Sequence, residues 1–399
     1  MLRSLRASRL SSGRSSRPVA ALLPAAVATL LCWLLLVSPG YSGIAKEQGL
    51  PDASAAARAE LAFLLRSQQA DGGFPMQAGQ PSSTMISAWV AVALAGADSS
   101  GLRPSTAHSA GQAGPKVTPW VARAEARVGA YLVRTIGSER DPGSIERTVL
   151  ALRALGRPVR EVGGVHLLVR LERLVSAAGS VDHGSVDHQT NLTSWAIIAL
   201  RAAGAPLPRA SVRWLIAQQD GDGGFNFGTG GQGTASDPDD TGAALEALAA
   251  AHMPTMSGRV ATITRALAYL HHDQNRDGGF GAEQGAPSNT QSTAWAVQGL
   301  IAVGADVNTF HRPGGATPLA YLSAMTGKSG AVAYQRGVQQ SPVWVTGAVL
   351  PALLKLANPL TAATRPLATR QRASISPVNR GPKLDLPAMI GRLVSTIRF

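Results

Sequence analysis

The chain is 399 residues long, 45% hydrophobic and only 5% aromatic, with a net charge of +13. That length allows one large domain or two small ones, and the abundance of Ala and Leu favours helix over strand. The two ends, Arg3 to Arg17 and Arg365 to Arg398, carry +11 of the +13, so the middle is near neutral; a nucleic-acid binder, which needs its basic surface on the folded part, is excluded.

Residues 1–18 are rich in Arg and Ser, and Val19–Val37 is a nearly unbroken apolar run of 19 residues. A basic segment followed by an apolar one directs export, and this one is long enough to span a bilayer. Residues 1–43 are therefore read as a signal peptide or N-terminal membrane anchor. The arginines then stay in the cytoplasm and the rest is extracytoplasmic, secreted or anchored to the membrane by residues 19–37. Ser38–Gly43 is only a loose cleavage site, so cleavage and retention both stay open. The single cysteine, Cys32, lies in the apolar run, which leaves the folded region without a disulfide, a thiolate ligand or a cysteine nucleophile.

Residues 44–357 repeat one layout: helix, Gly-rich turn, polar helix start, second helix. Unit one spans about Arg58–Ala97. A polar insertion at 98–119 follows, rich in Gly, Pro and Ser. Unit two, about Val121–Gly156, lacks the Asp-Gly-Gly-Phe turn. Unit three is about Val165–Ala205, and unit four is centred on Trp214–Ala251. Unit five is about Thr264–Ala305, and a degenerate unit six is about Gly315–Leu354. Asp71 and Asp222 lie 151 residues apart, and Asp222 and Asp277 lie 55 apart, which fits units of roughly 50. Residues 358–399 form a basic, irregular tail with at most one short helix near Met389–Arg398.

The second helix of each unit is apolar nearly all round, as in AWVAVALAGA and SWAIIALRAAGA, and must be buried on every side. The first helices are amphipathic. An inner ring of apolar helices wrapped by an outer ring satisfies both patterns, and closing it removes the open ends that a solenoid must cap. In the turns, two consecutive glycines permit a sharp reversal, and Phe74, Phe225 and Phe280 can fold back onto the helix just ended.

The segments QQADGGF, QQDGDGGF and DQNRDGGF, each after an apolar helix, resemble the QW-type repeat of squalene–hopene cyclases, other class II terpenoid cyclases and protein prenyltransferase β subunits. Phe stands here where the cyclase motif ends in Trp. The resemblance covers about residues 58–354. It implies an all-α fold, an α6/α6 toroid of six helix hairpins, with a central cavity lined by the inner helices. Asp237-Pro238-Asp239-Asp240-Thr241 resembles the DxDDT signature of class II terpenoid cyclases. The resemblance makes Asp239 the proton donor to an alkene or epoxide, with Asp237 and Asp240 positioning it. Neighbouring carboxylates cannot all ionise easily, so one keeps a proton. The same residues also read as a helix start, with Asp237 the cap, Pro238 at the first position, and two acids favoured by the helix dipole. Unit five has Asn289, Thr290, Gln291 and Ser292 at the matching places. A zinc prenyltransferase and a thioester protein both need a cysteine that this toroid lacks.

Trp89, Trp195 and Trp295 occupy matching positions on the second helices. They read as core, or as cavity walls touching an apolar or flat ligand. Gln291, Ser292, Thr293 and Thr193 would add polar groups at the cavity mouth. Asp182-His183 and Asp187-His188 form a tandem pair read as a polar loop. Asp273, Asn275 and Asp277 copy the start of a calcium loop, but Gln284 stands where the required Glu would be. No metal and no cofactor is expected. Three functions follow. The first is a toroid binding a small apolar or cofactor-like ligand in its cavity. The second is a class II terpenoid cyclase-like enzyme, an isomerase or lyase using the DPDD motif. The third is an extracytoplasmic module for a protein partner. The membrane is met only through the N-terminal segment.

Overall fold

The computed structural model describes residues 53–104, 119–181, 189–228 and 235–360. All belong to the second of two compact units, Leu50–Phe399. The first, Met1–Gly49, lies outside the described residues. So do Cys32, the apolar run, the tandem Asp-His pairs and the tail from residue 361 onward.

Twelve α-helices occur among the described residues, as six consecutive pairs. They are α1 (Ala53–Ser67) and α2 (Thr84–Ser99), α3 (Pro119–Thr135) and α4 (Pro142–Ala154), then α5 (Leu167–Leu174) and α6 (Thr190–Ala203). The second half has α7 (Arg209–Ala217) and α8 (Pro238–Ala251), α9 (Arg259–Asp273) and α10 (Thr290–Ala302), then α11 (Pro318–Ala324) and α12 (Pro342–Leu353). One feature not anticipated is a small antiparallel hairpin, β1 (Glu161–Val162) with β2 (Val165–His166), ahead of α5. Among the described residues no helix is long and apolar enough to cross a membrane.

The even-numbered helices form the inner ring. Each packs on the next, and α12 packs back on α2, so the ring is closed. The pattern that drives this is burial: α2 is buried continuously from Ile86 to Ala97, whereas α3 buries only one stripe. Closure is sealed on the outer layer too. Thr326 Oγ1 donates to Glu60 Oε1 at 2.8 Å, and Arg66 donates to the Ser329 carbonyl at 2.7 Å. The fold is an all-α toroid of six hairpins.

Three Asp-Gly-Gly-Phe turns, in units one, four and five, fasten an outer helix to its inner partner, and all three do so in the same way. Asp71, Asp222 and Asp277 each accept the N–H two residues on, and each also accepts the hydroxyl of Ser82, Ser236 or Ser288 ahead of the inner helix. Phe74, Phe225 and Phe280 are fully buried. Their N–H groups donate to Ser87, Thr241 and Thr293 at 2.8, 2.9 and 2.9 Å. The first glycine is forced. Gly223 has φ +94°, and a Cβ there would stand 2.7 Å from the Arg265 carbonyl.

Counting from each inner helix cap gives the layers of the core. The sixth residue of α2, α6 and α10 is Trp89, Trp195 and Trp295. Their ring centroids are 4.9, 4.7 and 5.1 Å apart, all edge to face. Three residues on alternate helices of a six-membered ring can meet in this way only at its axis. The axis is therefore filled at this layer, where the resemblance implied a cavity. Lower down, Leu356 and Leu360 lie against Gly96 of α2. Asn358, read from sequence as the start of the tail, is buried beneath the inner helices. Its N–H donates to Glu246 Oε1 at 3.0 Å and its amide reaches Gln298 at 3.3 Å.

Candidate functional site

The start of α8 opens above the tryptophan layer. Asp237 is the cap: its backbone is extended, with φ −130° and ψ 155°, and its Oδ1 accepts the Asp240 N–H at 2.7 Å. Pro238 fits the first helical position, whose N–H would be unbonded anyway. Asp239 is second from the cap, one turn above the sixth position on the same inward face. The residue is half-buried, its Oδ1 is sealed from solvent, and that oxygen has no hydrogen-bond partner. Capping therefore uses Asp237 and leaves Asp239 free.

Asp240 is turned toward α6 and is only 4% exposed. Its Oδ1 accepts Asn191 Nδ2 at 2.6 Å. Asn191 Oδ1 in turn accepts Arg147 Nη2 at 3.1 Å. Arg147 occupies the sixth position of α4, level with the tryptophans, and its guanidinium lies 4.9 Å from the Trp195 ring centre and 5.4 Å from that of Trp89. Glu146 Oε2 pairs with it at 2.6 Å.

Burial is the first cause of every carboxyl shift at this site. It pushes Asp237 well up, helped by the charges of Asp240 and Asp239. It raises Asp239 to about 7, opposed by a hydrogen bond from Ser292 and assisted by the charge of Asp240. Asp240 is raised too, but donors from Asn191 and Asp237 and the charge of Arg147 hold it down. Burial and mutual charge thus oppose full ionisation of the trio, and shifted carboxyls gathered in this way mark a candidate site.

The other expected residues divide. Gln291 is second from its cap on α10, the position matching Asp239, and is half-buried. Ser292 reaches Asp239. Thr293 does not reach the mouth: it is fully buried, accepting the Phe280 N–H and donating to the Asn289 carbonyl at 2.6 Å. Thr193 holds the Val181 N–H in the same way. The physical reason is their register, fourth from the cap, which faces the turn. Asn275 and Asp277 are likewise engaged with Ser288. Among the described residues no group of three or more His, Cys, Asp or Glu is arranged to hold a metal. Sequence reasoning missed Arg147, Asn191 and Glu146. The available signal was a charged Glu-Arg pair within an inner helix whose counterparts carry no charge there.

No family model matches the sequence, and no curated protein matches it. Solved structures do match. A Tyr-to-Phe variant of the type II terpene cyclase MstE from Scytonema superposes with a TM-score of 0.55 at 16% identity, covering 77% of this chain and 97% of that one. An Arg-to-Ala variant of the same cyclase, in complex with geranylgeranyl dihydroxybenzoate, gives 0.53 at 15%, covering 77% and 97%. A protein from Actinoplanes gives 0.52 at 18%, covering 76% and 99%. At such identities the likeness is one of fold, and the fold is terpenoid cyclase-like.

Proposed function

We propose that this chain is an exported toroid that starts a class II terpene cyclase-like reaction by protonation, with Asp239 as the acid. The observation that carries this reading is the state of Asp239: a buried carboxyl that the helix does not need, with one unpartnered oxygen and a proton held up to about pH 7. A general acid works best when its proton affinity lies near the working pH. The Asp239 O–H bond breaks, and the π pair of a ligand alkene forms the new C–H bond. A carboxylate and a tertiary carbocation remain. An internal alkene attacks that cation, forming the ring C–C bond and a new tertiary cation. The carbon next to it loses a proton to solvent water, its C–H pair becoming the product alkene, while Asp239 takes a fresh proton from solvent. The Gly-Gly-Phe turns support kinship with the cyclase repeats, and the arginines ahead of Val19–Val37 support export.

The filled axis limits the depth of the reaction. Faces of Trp89 and Trp195 already hold Arg147, so a second cation at that layer meets a guanidinium. This supports short cyclisation above the tryptophan layer, with one end of an apolar isoprenoid reaching the Asp239 carboxyl beside Ser292. The same filled axis favours a second reading, in which the mouth binds such a ligand without chemistry.

The test is incubation of the full chain with squalene and with geranylgeraniol in D2O, followed by mass spectrometry. The first reading expects one deuterium on a newly saturated carbon, and a loss of about 10²- to 10⁴-fold in Asp239→Asn. Saturable binding of the same isoprenoids with no deuterated product would leave the second reading in place of the first.

A further inference from the structure

We infer that Arg147, acting through Asn191, is a positioning residue that fixes Asp240 as the carboxylate of the acid trio and leaves the transferable proton on Asp239. The inference rests on the proton-donor reading above.

The argument begins with what a guanidinium can do. Arg147 has only donors, so the atom of Asn191 that faces it must be the carbonyl Oδ1. That choice turns the Asn191 NH2 outward, and it lands 2.6 Å from Asp240 Oδ1. An oxygen receiving a short N–H bond is an acceptor, which a carboxylate serves better than an acid. Asp237 shares a further hydrogen bond with Asp240, so donors converge on Asp240 from two sides. Asp239 receives the Ser292 hydroxyl and its own N–H, no side chain tied to a cation, and keeps a bare oxygen. The three carboxyls differ in their donors, and the difference starts at Arg147.

Arg147 is well suited to hold this role. It is 7% exposed, gripped between two indoles and paired with Glu146, so its direction is fixed by packing rather than by solvent. A guanidinium also stays charged where a lysine would shed its proton. The charged and titratable groups around the trio are few. Helix α4 brings Asp141, Glu146 and Arg147, and α9 brings Tyr269 with Asp222 and Asp273 near it. Helix α6 brings Asn191, and α10 brings the uncharged Ser292 and Gln291. Among the described residues Arg147 is the cation that acts on Asp240.

The experiment is a 13C titration of the aspartate side-chain carboxyls in the full chain, with Asp239 and Asp240 assigned from Asp239→Asn and Asp240→Asn. In Asn191→Leu the Asp240 midpoint should rise, and the Asp239 midpoint should fall by about one pH unit because its charged neighbour is gone. Turnover at pH 7, read as deuterium transfer, should fall about tenfold in kcat with KM held within about twofold. Arg147→Met should move both midpoints the same way, and Arg147→Lys should not restore them, since its buried amine sheds its proton. A purely structural role would lower the melting temperature and leave the midpoints in place. Unchanged midpoints in the folded Asn191→Leu or Arg147→Met protein overturn the inference. The titration needs no substrate, so it stands even if no isoprenoid is turned over and the proton-donor reading fails.

Discussion

Helices α8 and α10 begin alike. Each follows a Gly-Gly-Phe turn, each has a threonine fourth from the cap that takes the phenylalanine N–H at 2.9 Å, and each is capped by a side chain that accepts the N–H three residues on, at 2.7 and 2.8 Å. Their chemistry differs at every polar inward position. Asp237, Asp239, Asp240 and Glu246 on α8 face Asn289, Gln291, Ser292 and Gln298 at the same places on α10. Asn289 caps as well as Asp237 does. The scaffold therefore does not ask for acids, and burying them opposes folding. Acids that the matching helix does without fit the proton-transfer role proposed for Asp239.

The most direct way to break this comparison is to copy α10 into α8. A protein carrying Asp237→Asn, Asp239→Gln and Asp240→Ser should lose deuterium transfer by about 10²- to 10⁴-fold. Its denaturant midpoint at pH 7 should hold or rise, by about 1–2 kcal/mol of stability. A fall of more than about 2 kcal/mol would make the acids structural and sink the comparison.

Glu246 against Gln298 sharpens it next. Burial raises Glu246 to about 8, opposed by the backbone and amide donors of Asn358. A carboxyl whose proton affinity is higher folded than unfolded contributes stability that is complete below its unfolded value. That stability is lost as pH rises through the folded one. Wild-type stability should thus decline between about pH 4.5 and pH 8, by at most about 1.4 kcal/mol per unit from this group, with Asp239 adding its share up to about pH 7. Glu246→Gln, which makes the position match Gln298, should flatten that slope and gain on wild type as pH rises to 9. Chemical denaturation at pH 5, 7 and 9 reads it. Equal slopes in the two proteins would show that Glu246 is not the group responsible.

The turns should behave as equals. Gly223 and Gly278 have φ of +94° and +90°, and a Cβ at either would run into a backbone carbonyl, of Arg265 or of Thr317. Gly223→Ala and Gly278→Ala should each destabilise by roughly 3 kcal/mol in urea titrations, in step with one another. A large gap between them would mean that the two scaffolds are less alike than their hydrogen bonds.

How much of this was legible in the chain depends on the distance over which the residues act. The helix pairs, their apolar and amphipathic partition and the Asp-Gly-Gly-Phe turns are local patterns, and they point to a closed ring that the structure contains. Asp239 could be named as a candidate because its motif lies within five consecutive residues. The tryptophan contact was not legible, because it depends on three helices converging at one radius from positions about a hundred residues apart. Arg147 and Asn191 act on Asp240 from two other units, and no local signal joins them. Asn358 looked like tail because a single Asn after the last helix carries no pattern; only the buried Glu246 above it explains its place. Thr293 was assigned to the mouth because a polar residue near a helix start resembles a site, whereas its register turns it to the Phe280 N–H.

The smallest effect tests the comparison most finely. Thr241→Val and Thr293→Val keep the side-chain shape and remove the hydroxyl, so the Phe225 or Phe280 N–H is left buried without an acceptor. Each should destabilise by about 1–2 kcal/mol in equilibrium denaturation. The two losses should agree within about 1 kcal/mol, with Thr293→Val the costlier, since neither hydroxyl bonds to an acid and that of Thr293 makes the shorter donation to a carbonyl. If Thr241→Val proved the costlier, its excess would have to come from the carboxyl beside it, because the hydroxyl's own donation favours Thr293, which reaches the Asn289 carbonyl at 2.6 Å where Thr241 reaches the Phe225 carbonyl at 3.5 Å. Measuring both variants again with Asp240→Ser present would then show the excess disappear, and the scaffold would stand as common to the two units with the acids as its only addition.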